Sequence, residues 1–413
     1  MHCWDINYYL DRSILSDLPD QLSQILQSRN FVTQSGKKVS FCGLIVTESV
    51  QAVFLPRSTQ LSGGTLRATT SLFKAFRRYD KELAPLIRNN DQVAELFGSK
   101  RMSLLYSLLE DYRTYGIYNQ RNVHKRVNSG KPDWSRTISK FQPYISNGYP
   151  VYCDYVGVKK RVSVDSEISK IHAFLISLID TNFGPIFFGE KSYSEDGLSK
   201  PSFISEEFFR AIINKELRNV YSDRDVRLMK LLLKVLSTGV LDESLEFAIG
   251  TRSFHTVWEH MLKMVIEGAI ELNDKLPFPI YEDSNGKLYP AKRNSQKTDI
   301  VLENLSENRY TIVDAKYYDA TSQSSSPRWH DLVKQFFYEK AISVVYPESS
   351  VKNYFIFPGE KQVFAKAFMA NRMDYSPVSD YAEIECIYVN PSDVTRAYST
   401  GLKLESLSEK LNA

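Results

Sequence analysis

The chain has 413 residues, enough for two domains or three at the usual ~100–200 residues each. Apolar residues make up 43% and charged residues 24%, so the chain can bury a core and is not disordered throughout. A net charge of +3 excludes a polybasic scavenger of nucleic acid, and any such binding has to come from local patches.

Cys3, Cys42, Cys153 and Cys386 are scattered without a CxxC pair, which excludes a zinc ribbon and argues against a disulfide framework. The start, MHCWDINYYLDRS, has neither a basic n-region nor an apolar h-region. The apolar run AFLISLI at 173–179 is too short to cross a bilayer. These features predict a reduced, cytoplasmic protein with no membrane contact.

An aromatic-rich start leads into a short amphipathic segment, Leu18 to Leu26. Two strands follow, Val39–Val46 and Val50–Leu55, joined by the turn Thr47–Glu48–Ser49. A Ser/Thr/Gly stretch, Ser58 to Ser71, separates them from a helical region, Leu72 to Leu108, interrupted by Pro85 and Gly98.

From Arg121 to Arg161 the chain reads as basic and irregular. Lys125, Arg126, Lys131, Arg136 and Lys140 alternate with Trp134, Phe141, Tyr144, Tyr149, Tyr152 and Tyr155. Cations neutralise phosphate and flat rings stack on bases, so this stretch is a candidate DNA contact. The competing reading is a solvated face over an aromatic core.

A helix over Glu167–Asp180 carries His172 in its apolar stripe, which predicts a core histidine rather than a ligand. The polar stretch 189–203 is the candidate linker, and helices resume at Ser205–Val220 and Asp223–Leu236.

The residues from Phe254 onward carry the chemistry. FHTVWEHMLKMVIEGAIELN reads as a helix with Ser253 as its N-cap and Glu259 beside the apolar stripe. Next, Asp299–Leu302 and Tyr310–Tyr317 read as the two strands of a hairpin that turns between Ser306 and Glu307. In that register Asp299 and Asp314 fall opposite one another, and Lys316 shares their face because strand side chains alternate. Opposed carboxylates destabilise a purely structural hairpin, whereas a divalent cation turns them into a site. Magnesium suits such a site, since it is usually held by one or two carboxylates plus substrate phosphate. A helix, DLVKQFFYEKAISVV, then buries Leu332, Val333, Phe336, Phe337 and Ile342 and places Gln335 and Tyr338 on a shared face. Strands at Tyr354–Phe357 and Glu383–Val389 complete a mixed α/β layer.

The order of Glu on a helix, Asp heading one strand, D-A-K on the next and Gln on a following helix resembles the PD-(D/E)xK nuclease superfamily. VWEHML, TDIVL, VDAKYY and DLVKQFFYEKA are similar to the McrC-like and LlaJI-type restriction nucleases, as are GKPDWSRTISK and SEISKIHAFLI. Thr298 stands where the superfamily's motif has Pro, and Tyr338 comes one residue early for Q-x-x-x-Y.

The resemblance implies a fold, a restriction-endonuclease-like C-terminal core of mixed sheet flanked by helices, after an α+β N-terminal domain and a helical connector. The corresponding division is 1–188, 189–250 and 251–413. It also implies roles: Asp299, Asp314 and the Ala315 carbonyl on the metal, Glu259 on the metal directly or through water, Lys316 on the attacking water, and Gln335 steadying substrate or a ligand. The implied activity is Mg2+-dependent hydrolysis of double-stranded DNA, with one or two ions per site and Mn2+ as a substitute, in a bacterial restriction or anti-phage system. No phosphate-loop motif GxxxxGK[ST] occurs in the chain, and the resemblance implies a separate McrB-like AAA+ NTPase partner, with homo-oligomerisation as a further expectation. Two alternatives stand beside it: a repair or recombination nuclease of the same fold, and a non-catalytic DNA-binding adaptor.

Overall fold

The structure, a computed structural model, describes residues 6–48, 50–83, 94–163, 165–193, 198–242, 246–291 and 296–413, without the side chains of 121–126 and 160–162. It is a mixed α/β chain in two compact units, one made of Met1–Ser99 with Glu246–Ala413 and the other of Lys100–Leu245. These units partition the chain at other points than the division 1–188, 189–250, 251–413. Composition marks where a chain turns polar, but it does not reveal that a later strand returns to pair with an earlier one.

The first unit opens with β1 (Asn7–Leu10), the helix α1 (Asp20–Ser28) and the hairpin β2 (Cys42–Val46) and β3 (Gln51–Leu55). The hairpin is the expected one, although β2 starts three residues later than predicted and Ser49 of the turn lies outside the described residues. The helix α2 (Thr65–Leu83) takes in the end of the Ser/Thr/Gly stretch that was expected to be loop. Thr69 and Thr70 turn their hydroxyls back onto the Thr65 and Leu66 carbonyls, which lets them be buried inside the helix. Pro85 lies outside the described residues. Gly98, at φ +67°, precedes α3 (Ser99–Tyr115).

The second unit contradicts the expectation of irregular chain over 121–161. There β4 (Gln120–Val127), β5 (Lys131–Pro132), α4 (Trp134–Lys140), β6 (Tyr144–Ser146), β7 (Tyr149–Val151) and β8 (Val156–Ser163) follow in order. β8 pairs antiparallel with β4 from Gln120↔Ser163 to Val127↔Val156, and with β5. Basic residues fall at both odd and even positions of these runs in the sequence and hide the apolar alternation by which a strand is recognised. The β6–β7 hairpin turns through Asn147 and Gly148, both at positive φ, the residue pair that two-residue hairpins favour.

Helices α5 (Glu167–Phe188), α6 (Glu206–Leu217) and α7 (Asp223–Leu236) follow. α5 runs eight residues past its predicted end and, at 22 residues, is long and apolar enough to cross a membrane by length and composition. Most of it is buried inside the unit, as in a core helix. His172 is fully buried there and accepts a hydrogen bond from the Tyr118 amide at 3.0 Å, a core histidine as expected.

The chain re-enters the first unit at β9 (Phe247–Thr251), which pairs with β2 and completes a sheet in the order β1-β3-β2-β9. Gly43 and Gly250 face each other in that pairing at φ +145° and +155°. A Cβ on Gly43 would stand 2.1 Å from the Ile249 carbonyl oxygen. Phe97 exchanges backbone hydrogen bonds with Gly250 at 2.7 and 3.1 Å.

α8 (Phe254–Val265) ends eight residues before the predicted stop, because Gly268 turns the chain at φ +81° into β10 (Ala269–Ile270). An exposed hairpin, β11 (Ile280–Glu282) and β12 (Leu288–Pro290), precedes β13 (Ile300–Asn304) and β14 (Arg309–Ala315). Next come α9 (Trp329–Val345), β15 (Ser350–Pro358), β16 (Lys366–Ala367), β17 (Ile384–Val389), α10 (Pro391–Thr400) and α11 (Glu405–Asn412).

The second sheet of this unit has the order β10-β13-β14-β15-β17-β16. β13 and β14 are antiparallel, while β14, β15 and β17 run parallel, so α9 is the crossover helix between β14 and β15. All seven residues of β14 are buried, as expected of a strand covered on both faces. Val301, Tyr310 and Ile312 pack with Ala341 and Ile342 of α9, and Phe355, Phe357 and Ile384 pack with Leu332 and Phe336. Phe337, expected in this core, is 65% exposed, because the helix turns its 335/342 side and not its 337 side to the sheet.

Candidate active site

The observed ladder pairs Ile300 with Val313 and Val301 with Ile312. One residue beyond it, Asp299 falls across from Asp314, as the sequence predicted. Asp299 and Asp314 share the parity of Val301 and Ile312, and so lie on the α9 side of the sheet, with Lys316 two residues further along. They stand at the end of β14, where a parallel strand delivers side chains to the sheet's rim.

The contacts there are short. The Ala315 amide donates to Asp299 Oδ2 at 2.9 Å. Lys316 Nζ lies 2.6 Å from Asp314 Oδ2 and donates to Asp331 Oδ1 at 2.7 Å. Asp331 is 7% exposed and carries no distinguishing signal in the sequence, where it reads as an ordinary first-turn acid of a helix.

Burial pushes the Glu259 carboxyl up to about 7, and the negative charge of Asp314 adds to it, while Lys316 and Lys334 oppose. Asp299 is driven well above the ordinary carboxylate range by burial, then by Asp314 and Glu259. These two acids and Asp314 therefore share one electrostatic neighbourhood in which they cannot all be charged without cost. Burial alone would lower the Lys316 ammonium, but Asp314 and Asp331 outweigh it and hold Lys316 charged.

Gln335 is fully buried on α9, and among the described residues neither its amide nitrogen nor its oxygen has a hydrogen-bond partner. Tyr338, its expected companion, donates to the Lys297 carbonyl at 2.6 Å, just before Asp299. An orphaned buried amide is costly, so it marks a place where a ligand or water would find a partner.

The first sheet also reaches this region. The Arg57 amide donates to Tyr317 Oη at 3.0 Å, its guanidinium pairs with Asp319, and Ser58 Oγ donates to Asp319 at 2.6 Å. Residues 57 and 58 thus grip the segment that follows Lys316. Nothing in the spacing of the sequence signals this, because 260 residues separate Arg57 from Tyr317.

The donor set is all oxygen, Asp314 buried and Glu259 and Asp299 half-buried, which fits a hard divalent cation such as Mg2+ better than a soft one. Among the described residues no three His, Cys, Asp or Glu side chains are already gathered as a cage. Asp314 is turned to Lys316 and Asp299 to the Ala315 amide.

The candidate DNA contacts lie elsewhere, in the second unit. Lys131, Arg136 and Lys140 are exposed, and Arg136 pairs with Asp133 at 3.4 Å. The side chains of Lys125 and Arg126 lie outside those described. Trp134, Tyr144 and Tyr149 are 55%, 69% and 74% exposed, so these rings are surface and not core.

A component of the type II restriction enzyme BsuMI from Bacillus subtilis (strain 168), YdjA, is 29% identical over 301 residues, which cover 68% of this chain and 63% of that protein. Two chains from solved Thermococcus gammatolerans assemblies are more distant. One, from McrB AAA+ hexamers with bound McrC, is 12% identical, covers 98% of this chain and 99% of its own, and has a TM-score of 0.40. The other, from the McrBC complex, is 14% identical, covers 55% and 79%, and has a TM-score of 0.21. Both scores are too low to carry a shared fold. The family comparison is stronger: residues 41–389 match the LlaJI restriction endonuclease, and the chain belongs to that family.

Proposed function

We propose that this chain is a Mg2+-dependent DNA endonuclease of the PD-(D/E)xK type, the nuclease subunit of a bacterial restriction or anti-phage system acting in the cytoplasm. The observation that carries the reading is the placement of Asp299 across from Asp314 at the end of the β13–β14 ladder, with Lys316 paired to Asp314. Membership of a restriction endonuclease family supports the substrate class. The McrC-like motifs support a separate nucleotide-hydrolysing partner.

Asp299, Asp314 and Glu259, with the Ala315 carbonyl, would hold the cation, one or two per site, and Mn2+ would fit the same oxygens. When bound, the ion supplies Lewis-acid stabilisation of charge on the phosphate. Lys316 keeps a charged donor beside that position, able to orient an attacking water and to offset charge on a phosphate oxygen. Gln335 offers a free amide to substrate or to a ligand. Lys131, Arg136 and Lys140, with Lys125 and Arg126, would contact DNA.

The test is nicking of plasmid DNA by the purified full chain, with and without a partner motor. Mg2+ should support cleavage and EDTA abolish it. Lys316→Ala and Asp314→Asn should each lower the rate by roughly 100-fold or more while DNA binding persists. Cleavage by Lys316→Ala at the unsubstituted rate would reject the site, and absence of cleavage under every condition would favour an inert adaptor.

A further inference from the structure

Lys316 has two carboxylate partners, and only Asp314 enters the proposed chemistry. The second, Asp331, comes from the first turn of α9 and is buried. Its Oδ2 accepts the Arg328 amide at 3.0 Å, while its Oδ1 lies 2.7 Å from Lys316 Nζ. The ring of Phe355 sits 5.5 Å from the same ammonium, and the exposed His330 stands 3.3 Å from Asp331 Oδ1. Capping the helix needs only one of the two carboxylate oxygens. The other is committed to a lysine from a different element, fifteen residues earlier.

The geometry matters once Asp314 also serves a cation. Its charge is then shared, its hold on Lys316 weakens, and the cation repels the ammonium. A flexible lysine with no second anchor would leave its place, whereas a buried, capped aspartate keeps it there. We infer that Asp331 is a positioning residue that holds the Lys316 ammonium at the end of β14 while Asp314 is engaged elsewhere. This rests on the nuclease reading.

Three substitutions separate the possibilities in the full chain. Asp331→Asn keeps an acceptor for the Arg328 amide and removes the charge. Asp331→Glu keeps the charge on a longer stem, and Asp331→Ala removes both. The first measurement needs neither metal nor DNA: the rate at which acetic anhydride labels Lys316, followed by peptide mass spectrometry. Asp331→Asn should label several-fold faster than the unsubstituted chain. The second is single-turnover nicking of plasmid DNA in Mg2+. Asp331→Asn should slow it about 10–100-fold with the half-saturating DNA concentration unchanged, and Asp331→Glu should recover part of the loss. Should Asp331→Asn melt early, Asp331→Glu against Asp331→Ala gives the same comparison.

Faster labelling with an unchanged nicking rate overturns the inference. A slowed rate with unchanged labelling also overturns it, because the loss then belongs to the helix cap. Lys316→Ala run in parallel keeps the two ideas apart. If it nicks normally the nuclease reading has failed, and if it is inactive while Asp331→Asn is normal only the role of Asp331 has failed.

Discussion

Glu259 is a carboxyl whose charge the fold resists. Its folded value of about 7 stands above the 4.5 of an ordinary glutamate, so the folded chain holds a proton there that the unfolded chain releases. The stability this group contributes is whole below about pH 4.5 and is lost as pH rises through about 7. Asp299 is shifted in the same direction. Buried His172 and His255 are pushed down and gain stability over the same window, so the Glu259 shift shows as a difference: Glu259→Gln should raise the thermal midpoint of the metal-free protein over the unsubstituted chain more at pH 8 than at pH 5. Added Mg2+ should raise the midpoint more at pH 8 than at pH 5. A difference between the two proteins that stays constant from pH 5 to pH 8 would contradict the shift. Gln335 gives a second test, because its amide is buried without partners. Gln335→Met removes the orphan and should stabilise the chain by about 1–2 kcal/mol in calorimetry, while lowering the nicking rate.

At the scale of elements, the register of the hairpin β13–β14 is legible in the sequence, but its ends are not: β13 runs on to Asn304 and β14 stops at Ala315, two residues short of the predicted Tyr317. Its register follows from a polar turn between two apolar runs, and the opposed aspartates can be read from residue positions alone. Other features were not. Asp331 looks like any first-turn acid, and only the folded chain brings it to Lys316. β9 is a five-residue run with two ends that read as loop, and its place is fixed by a partner about 200 residues earlier. The strands β4 and β8 carry too many cations to show a two-residue period. Phe337 obeys a helical stripe in sequence yet faces water, since α9 presents mixed polar and apolar residues on both sides. The glycine pair in β2 and β9 makes its own prediction. Gly250→Ala would place a Cβ 2.2 Å from the Cys42 carbonyl oxygen and 2.8 Å from both the Gly43 Cα and the tip of the Phe41 ring at φ +155°, and the two backbone atoms cannot yield. It should cost at least about 2 kcal/mol in denaturant unfolding, whereas Gly36→Ala, with open space around it, should cost less.

For the whole molecule, the proposed division of labour places phosphate chemistry in the first unit and DNA contact in the second. Reversing the charge at Lys131, Arg136 and Lys140 should weaken DNA binding on any sequence and flatten its salt dependence by up to about three units of slope. Binding with an unchanged slope would remove that surface from the account. The bridge between Phe97 and Gly250 has one more consequence. That pair of hydrogen bonds holds the first unit's own chain together across the interruption between Ser99 and Glu246. A chain in which 100–245 is replaced by a short glycine–serine link should therefore still fold its first unit, and a cooperative thermal melt would check it.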